Sequence, residues 1–386
     1  MVEINHEEMR WLVEQAREKG DSVFIAGQSG IGKTEEIWRG ARRRADTLKR
    51  EFVLWGDLSL EQKEQMANDD TVVAKYYIGA DFRASAMAPE DFSGLPDFSS
   101  GRYVDFKPML FAKVMSQPSA EGIAFFDEIN QGSRDTQRSL FKVILDRKIG
   151  DVKLNDGVLV IGAGNRVEDG GDINTMSPPL ATRFVHYTLR CPTADEFIEY
   201  NLNSPYPNAA ICGFLKSYRD QIHTFNRQSK DPAFANPRSI QRLAKNIKDL
   251  PMVTDTDMHK IQLLSSGSCG ETWALKFVAF TKMSRKVDVD SILAEPESVK
   301  EYIDQLDLKY SIISTIAYRC RENFTKTIDS ALMVFNYLDE ESGVFALRVC
   351  KLYVGEAKLK NYLKKSKIWD EHLSVRFGNL FVFSEE

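Results

Sequence analysis

The sequence predicts an α/β fold in which a doubly wound, mostly parallel sheet is followed by a largely helical second half. Short apolar runs typical of buried strands alternate with helical patterns over the first half of the chain. One of these runs, residues 21–26, leads straight into a turn with three glycines. After Cys191 and Pro192 the helical patterns predominate. Alternation of strand and helix implies a parallel sheet with helices packed on its faces.

The elements follow in chain order. Acidic and basic residues alternate around Trp11, Leu12 and Ala16, which predicts an amphipathic helix within the first twenty residues. Residues 21–26 form the first predicted strand, and a helix rich in Ala, Arg and Glu should run from 33 to about 49. Further strands are predicted at residues 72–78, 123–127 and 157–162. The predicted helices of the second half are 194–200, 210–225, 239–248 and several beyond Thr272.

The segment from Ser85 to Lys107 interrupts the alternation, because it is rich in Pro, Gly, Ser and aromatic residues. We expect an inserted loop or hairpin there. Its aromatic side chains could pack within the hairpin or face a channel, and we favour packing. They are Phe92, Phe98, Tyr103 and Phe106.

Composition limits the classes of protein to consider. The chain has 386 residues, and no apolar run approaches the roughly 18 residues that cross a bilayer. The first residues lack the pattern of an export signal, so we expect a cytoplasmic protein. The formal net charge of −5 gives no overall attraction to nucleic acid. The five cysteines and five histidines show no metal-ligand spacing, which predicts buried thiols and no metal site beyond a nucleotide-bound Mg²⁺.

The glycine turn, AGQSGIGKT, fits the pattern G-x-x-x-x-G-K-[ST] between a strand and a helix. Backbone N–H groups of such a turn converge on phosphate oxygens, and the helix N-terminus adds partial positive charge. Lys33 would reach the β- and γ-phosphates, while the Thr34 hydroxyl would bind Mg²⁺. The alternative is a flexible turn without a ligand. The predicted nucleotide-binding residues here are Gly27, Gln28, Ser29, Gly30, Ile31, Gly32, Lys33 and Thr34.

A second candidate site lies at the end of the apolar run IAFFDE, residues 123–128. A strand here would deliver its acids to the carboxyl edge of the sheet, where ligands bind in doubly wound folds. Asp127 would then help to bind Mg²⁺, and Glu128 would activate the attacking water. The alternative is a surface turn that caps the next helix. Its occurrence together with the glycine turn favours the catalytic interpretation.

Residues 122–190, from GIAFFDEINQ to LATRFVHYTLR, resemble the MoxR-like branch of AAA+ ATPases over their whole length. The segment DFSGLPDFSSGRYVDFKP is similar to the helix-2 insert of that branch, and NPRSIQRL, residues 236–243, is similar to its second sensor motif. The resemblance implies a P-loop NTPase sheet of AAA+ type, an α-helical lid and a C-terminal helical region. The implied boundaries are 1–192 with the insert at about 85–107, 193–254 and 255–386.

The resemblance also implies roles for three further residues. Asn165, which ends VLVIGAGN, would be the first sensor that contacts the attacking water, although a turn-forming Asn is the alternative. Arg183 would be an arginine finger that one subunit supplies to its neighbour, and it follows Thr182 where relatives often have an acid. Arg238 would report the nucleotide state to the lid, with a solvated helix-start arginine as the alternative.

We therefore expect a Mg-ATP-dependent ring, with six subunits the expected number, that remodels a protein partner. The MoxR resemblance suggests a partner with a von Willebrand A domain. The choice of ATP over GTP as the nucleotide rests on the resemblance alone. The alternative function is a nucleic-acid motor or loader, and its support is the basic run from Arg39 to Arg50. A nucleotide-binding switch without turnover is a third hypothesis.

Overall fold

The computed structural model describes residues 2–101, 104–166, 176–226, 228, 231–248, 250, 254–283 and 286–378. The chain divides into two compact units, Met1–Cys191 and Pro192–Glu386. Each has its own hydrophobic core or cores.

The first unit contains a seven-stranded sheet in which every neighbouring pair of strands is parallel. The strands of this unit are β1 (Val2–Ile4), β2 (Val23–Ala26), β3 (Glu51–Leu54), β4 (Tyr76–Arg83), β5 (Leu95–Asp97), β6 (Asp105–Lys107), β7 (Gly122–Asp127), β8 (Lys148–Ile149), β9 (Val152–Lys153), β10 (Val158–Gly164) and β11 (Val185–Leu189). The sheet order is β1-β11-β2-β10-β7-β4-β3, while β5 with β6 and β8 with β9 form antiparallel pairs. The predicted fold class is confirmed.

Helices cover both faces of this sheet. They are α1 (His6–Lys19), α2 (Lys33–Leu48), α3 (Leu60–Asn68), α4 (Asp70–Val73), α5 (Pro89–Ser93), α6 (Leu110–Met115), α7 (Arg134–Asp146) and α8 (Pro178–Ala181). Successive side chains of a strand point to opposite faces. On β7, Ile123 and Phe125 therefore join a core formed with α1 and α2, whereas Ala124 and Phe126 join the core formed with α3, α6 and α7.

The strand and helix that flank the glycine turn lie close to their predicted positions. The strand predicted at 72–78 is displaced, because residues 70–73 form α4 and the strand begins at Tyr76. Three strands of the sheet, β1, β3 and β11, were not predicted. In β11 the polar residues His186 and Thr188 break the apolar run that would have indicated a buried strand.

The insert contains α5 and the short antiparallel pair β5–β6. Phe92 is buried, with its ring centroid 5.9 Å from that of Phe126. The packing interpretation is wrong for Phe98 and Phe106, which are 70% and 47% exposed. A ribbon of two three-residue strands buries little surface on its own. Tyr103 lies outside the described residues.

The described part of the second unit consists of helices and turns. Its α-helices are α9 (Ala194–Leu202), α10 (Ala209–Ser217), α11 (Pro237–Ile247), α12 (Asp255–Cys269), α13 (Glu271–Met283), α14 (Val289–Ala294), α15 (Leu306–Glu322), α16 (Phe324–Asn336), α17 (Glu340–Val354), α18 (Glu356–Leu363) and α19 (Ser374–Phe377). The helix predicted at 210–225 is shorter, because Tyr218 leaves the helical conformation and a 3₁₀ turn follows. Helices from both sides of residue 254 contribute to one core.

Among the described residues, no helix has the length and apolar content that crossing a membrane would require. Four of the cysteines are buried as predicted, namely Cys212, Cys269, Cys320 and Cys350, while Cys191 is half-buried.

Candidate active site

The glycine turn joins β2 to α2 at the carboxyl edge of the sheet, and its backbone requires glycine at three positions. Gly30 and Gly32 have φ angles of 78° and 100°, in the region that side chains disfavour. A Cβ atom on Gly27 would lie 2.8 Å from Ile31 Cδ1 and 2.9 Å from the Leu189 carbonyl oxygen. Within the turn, the Gln28 side chain is half-buried and Ser29 is exposed.

The N-terminus of α2 differs from those of the other long helices beside it. Among the described residues, no side chain caps α2, whose N-cap residue is Gly32. By contrast, Asn5 caps α1 and Ser133 caps α7 through hydrogen bonds to first-turn N–H groups. An uncapped first turn leaves N–H donors and the positive end of the helix dipole for an anion. The local geometry therefore fits a phosphate group.

Lys33 is 8% exposed, and its ammonium group lies inside the turn. Its Nζ donates hydrogen bonds to the carbonyl oxygens of Gly27 at 2.6 Å and Gln28 at 2.9 Å. A third bond runs to Asn165 Oδ1 at 3.4 Å, directly after the end of β10. Because β10 is the neighbour of β2 in the sheet, the fold brings the predicted phosphate lysine and the predicted sensor together.

Thr34 and Asp127 also meet at this edge. The Thr34 hydroxyl donates to Asp127 Oδ2 at 3.5 Å, and Asp127 ends β7. A hydroxyl and a carboxylate are oxygen ligands of the kind that Mg²⁺ prefers. These two residues therefore fit a nucleotide-bound Mg²⁺ ion.

Glu128 follows in the left-handed region, with φ 56°. Its Oε2 atom accepts a hydrogen bond of 2.6 Å from the Ser85 hydroxyl, and its backbone N–H donates to Asp127 Oδ1 at 2.9 Å. Ser85 lies in the 3₁₀ turn of residues 84–86 that follows β4. Sequence reasoning missed Ser85, because only the adjacency of β4 and β7 places it beside Glu128.

Asp81, on β4, adds a third carboxylate to this edge. Burial raises its pKa, and the negative charge of Asp127 raises it further. Raised pKa values from neighbouring like charges mark sites that a cation would stabilise. The predicted strand ended at residue 78, so sequence reasoning did not place Asp81 at this edge.

Asn130 connects the segment after Glu128 to the predicted sensor. It is 6% exposed, and its Nδ2 donates to the Asn165 carbonyl oxygen at 2.5 Å. A Cβ on Gly164 would lie 2.5 Å from Asn130 Oδ1, so this approach requires glycine. Sequence reasoning gave Asn130 no role.

The two predicted arginines are both exposed. Arg183 is exposed just before the amino end of β11, with its guanidinium carbon 5.5 Å from the centroid of the Phe141 ring on α7. Arg238 is exposed at the second position of α11, in the second unit. Within the first unit, Arg183 does not lie beside Lys33.

Comparisons with known proteins were made at three levels. No protein-family model matches the chain, and no curated protein matches it. Solved structures give distant matches. A mutant of RuvB from Thermotoga maritima has 17% identity and a TM-score of 0.32, over 76% of this chain and 75% of that chain.

Two further solved structures are similar at the same level. PCH-2 from C. elegans has 11% identity and a TM-score of 0.30, over 71% of this chain and 65% of that chain. NtrX from Brucella abortus, in complex with ATP, has 13% identity and a TM-score of 0.33, over 76% of this chain and 67% of that chain. Likenesses this distant assign no family to the chain.

Proposed function

We propose that this chain is a Mg-ATP-dependent P-loop ATPase of AAA+ type that works as a ring of identical subunits. One observation supports this more than any other. Lys33, Thr34, Asp127, Glu128 and Asn165 meet at the carboxyl ends of three adjacent strands, β2, β10 and β7. This is where ligands bind in doubly wound sheets.

The residues supply the parts that phosphoryl transfer needs. The turn and the α2 N-terminus bind the phosphates, and Lys33 exchanges its carbonyl partners for phosphate oxygens. Thr34 and Asp127 would hold Mg²⁺, which would neutralise charge on the phosphates. Glu128 accepts a proton from the attacking water, and Ser85 orients its carboxylate. Asn165 positions that water from the neighbouring strand.

Arg183 acts on the pocket of another subunit in this proposal. Val185 pairs with Val23, so Arg183 lies near the amino edge of the sheet, while the glycine turn begins at Gly27 on the carboxyl edge. Four strand residues span about 13 Å. An arginine side chain reaches roughly 7 Å over its bonds of about 1.5 Å. The guanidinium therefore falls short of its own pocket, which favours transfer across a subunit boundary.

The finer assignments rest on the MoxR resemblance. They are ATP as the nucleotide, Arg238 as a sensor on the lid, and a protein client with a von Willebrand A domain. The basic run offers nucleic acid little free charge. The Arg39 guanidinium lies 3.8 Å from the Glu36 carboxylate, and the Arg42 guanidinium lies 3.8 Å from the Glu35 carboxylate. The α1 and α2 sequences together contain eight Lys and Arg against seven Asp and Glu. A protein client is therefore the better proposal.

Phosphate release from ATP tests the proposal directly. The wild-type chain should hydrolyse ATP with Mg²⁺, and Lys33→Ala should abolish turnover while Glu128→Gln binds ATP without hydrolysing it. Lys153→Ala is the matched control, because Lys153 is exposed on β9, away from the turn. The client is sought among proteins that co-purify with ATP-loaded Glu128→Gln. Unchanged turnover in Lys33→Ala would overturn the proposal.

A further inference from the structure

His6 is the first residue of α1, and its side chain contacts the glycine turn 25 residues later. His6 Nε2 lies 2.8 Å from the Ile31 carbonyl oxygen. Because a carbonyl only accepts hydrogen bonds, Nε2 must carry the proton. His6 Nδ1 is buried and has no hydrogen-bond partner in the described part of the chain. The whole polar contact of this ring with the turn is therefore made through Nε2.

The place of His6 is fixed by the elements on both sides of it. Asn5 caps α1 and accepts hydrogen bonds from the Glu7 and Glu8 N–H groups, so the helix begins at a defined point. Ile4, one residue earlier, belongs to β1 and accepts a hydrogen bond from the Arg190 N–H group. The imidazole is thus presented to the turn from a helix that is anchored to the sheet.

The bond to Ile31 determines the direction of the next N–H group. A trans peptide is planar, and its carbonyl oxygen and N–H hydrogen point to opposite sides. When His6 holds the Ile31 oxygen outside the turn, the Gly32 N–H is directed to the opposite side. This is the N–H that precedes Lys33 in the phosphate-binding pattern.

The imidazole also lies against Gly32, the last glycine of the turn. A Cβ on Gly32 would lie 3.4 Å from His6 Nε2 and 3.9 Å from His6 Cδ2. Gly32 also has a φ angle of 100°. The imidazole therefore lies within van der Waals distance of the turn at its last glycine, where the left-handed φ angle disfavours any side chain.

We propose that His6 is a positioning residue for phosphate binding, which aims the Gly32 N–H at the nucleotide by holding the Ile31 carbonyl. This inference rests on the proposed function, because it assigns His6 to the same nucleotide site. When the His6 bond is lost, the Gly32 N–H is no longer aimed at the phosphate, and Mg-ATP binding should weaken about tenfold, the usual size for one hydrogen bond to a charged group. The rate of the chemical step should change little, because His6 does not touch the reacting atoms.

Three substitutions separate the bond from general packing. Glutamine can place an amide N–H near the position of Nε2, whereas asparagine reaches only the position of Nδ1, and alanine removes the donor altogether. We expect His6→Ala and His6→Asn to raise the Kd and KM for Mg-ATP about tenfold with kcat within twofold. His6→Gln should stay within threefold of wild type. Calorimetric titration with Mg-ATP and steady-state phosphate release measure these quantities.

The outcomes are distinguishable. If wild type binds Mg-ATP and His6→Ala binds it equally well, the inference about His6 is wrong and the proposed function stands. Equal weakening in His6→Gln and His6→Asn would also overturn it, because packing and not the donor would then decide. If the wild-type chain binds no nucleotide, the proposed function fails and this inference fails with it. Mg-ATP binding that is retained in His6→Gln but weakened in His6→Asn supports the inference. This comparison tests the inference even if His6→Ala does not fold.

Discussion

Transfer of Arg183 across a subunit boundary predicts that two inactive variants become active when mixed. Lys33→Ala destroys a subunit's own pocket but leaves its arginine finger. Arg183→Ala leaves the pocket but removes the finger that the next subunit needs. Each variant alone should lose about 10³-fold or more of the wild-type rate, since arginine fingers contribute that much in related chemistry.

The size of the recovery follows from the geometry. The Arg183 guanidinium reaches roughly 7 Å, while the glycine turn of the same chain begins about 13 Å away along the strand, so in the proposed ring each pocket depends on the arginine of a neighbouring subunit. In an equal, random mixture, about one head-to-tail interface in four joins an intact pocket to an intact finger. The mixture should therefore show about a quarter of the wild-type rate.

The assay is phosphate release at fixed total protein, after the two variants are mixed and reassembled with Mg-ATP. Mass photometry of each sample checks that the variants assemble. Arg138→Ala is the control for Arg183→Ala, because Arg138 is an exposed arginine of α7 whose side chain pairs with Asp135. If the mixture is no faster than the mean of the separate variants while both assemble, the reasoning about Arg183 is refuted.

Three further predictions concern single sites. Ser85→Ala should lower kcat about tenfold with KM unchanged, because Glu128 loses the donor that orients it, and Ser85→Thr should retain the rate. Hydrogen bonds from the Lys309 ammonium and from the first turn of α17 outweigh burial and lower the pKa of Asp339 to about 2. Asp339→Asn should thus lower the unfolding free energy above pH 4, and the difference should vanish as the pH falls to 2; equal curves at pH 7 would contradict this. Arg10→Met should cost about 2 kcal/mol in urea unfolding, because its buried carboxylate partner on α2, 2.7 Å away, loses its nearest charge.

Much of the candidate site could be predicted because its residues follow single strands. Lys33 and Thr34 follow β2 after the glycine turn, Asp127 ends β7, and Asn165 follows β10. In a parallel sheet the carboxyl ends of neighbouring strands meet at one edge, so a local pattern is enough to place such residues. Their catalytic roles stay predictions.

The rest depends on contacts that sequence patterns do not contain. Ser85 and Asp81 approach Glu128 only because β4 lies beside β7, and the order of strands is set by packing over the whole sheet. His6 approaches Ile31 because α1 packs alongside α2 on one face of the sheet. None of these three residues belongs to a recognisable sequence motif. Each one reaches the candidate site only through its contacts in the folded chain.

The backbone at Glu128 has a consequence for attempts to make this protein more robust. A non-glycine residue in the left-handed region costs about 1 kcal/mol or more, and glycine relieves that cost. Glu128→Gly should therefore melt at a higher temperature than the wild-type chain while it loses the carboxylate beside Asp127. A screen of random variants for heat resistance alone would therefore enrich variants that have lost the Glu128 carboxylate. Such a screen should be combined with a measurement of ATP turnover.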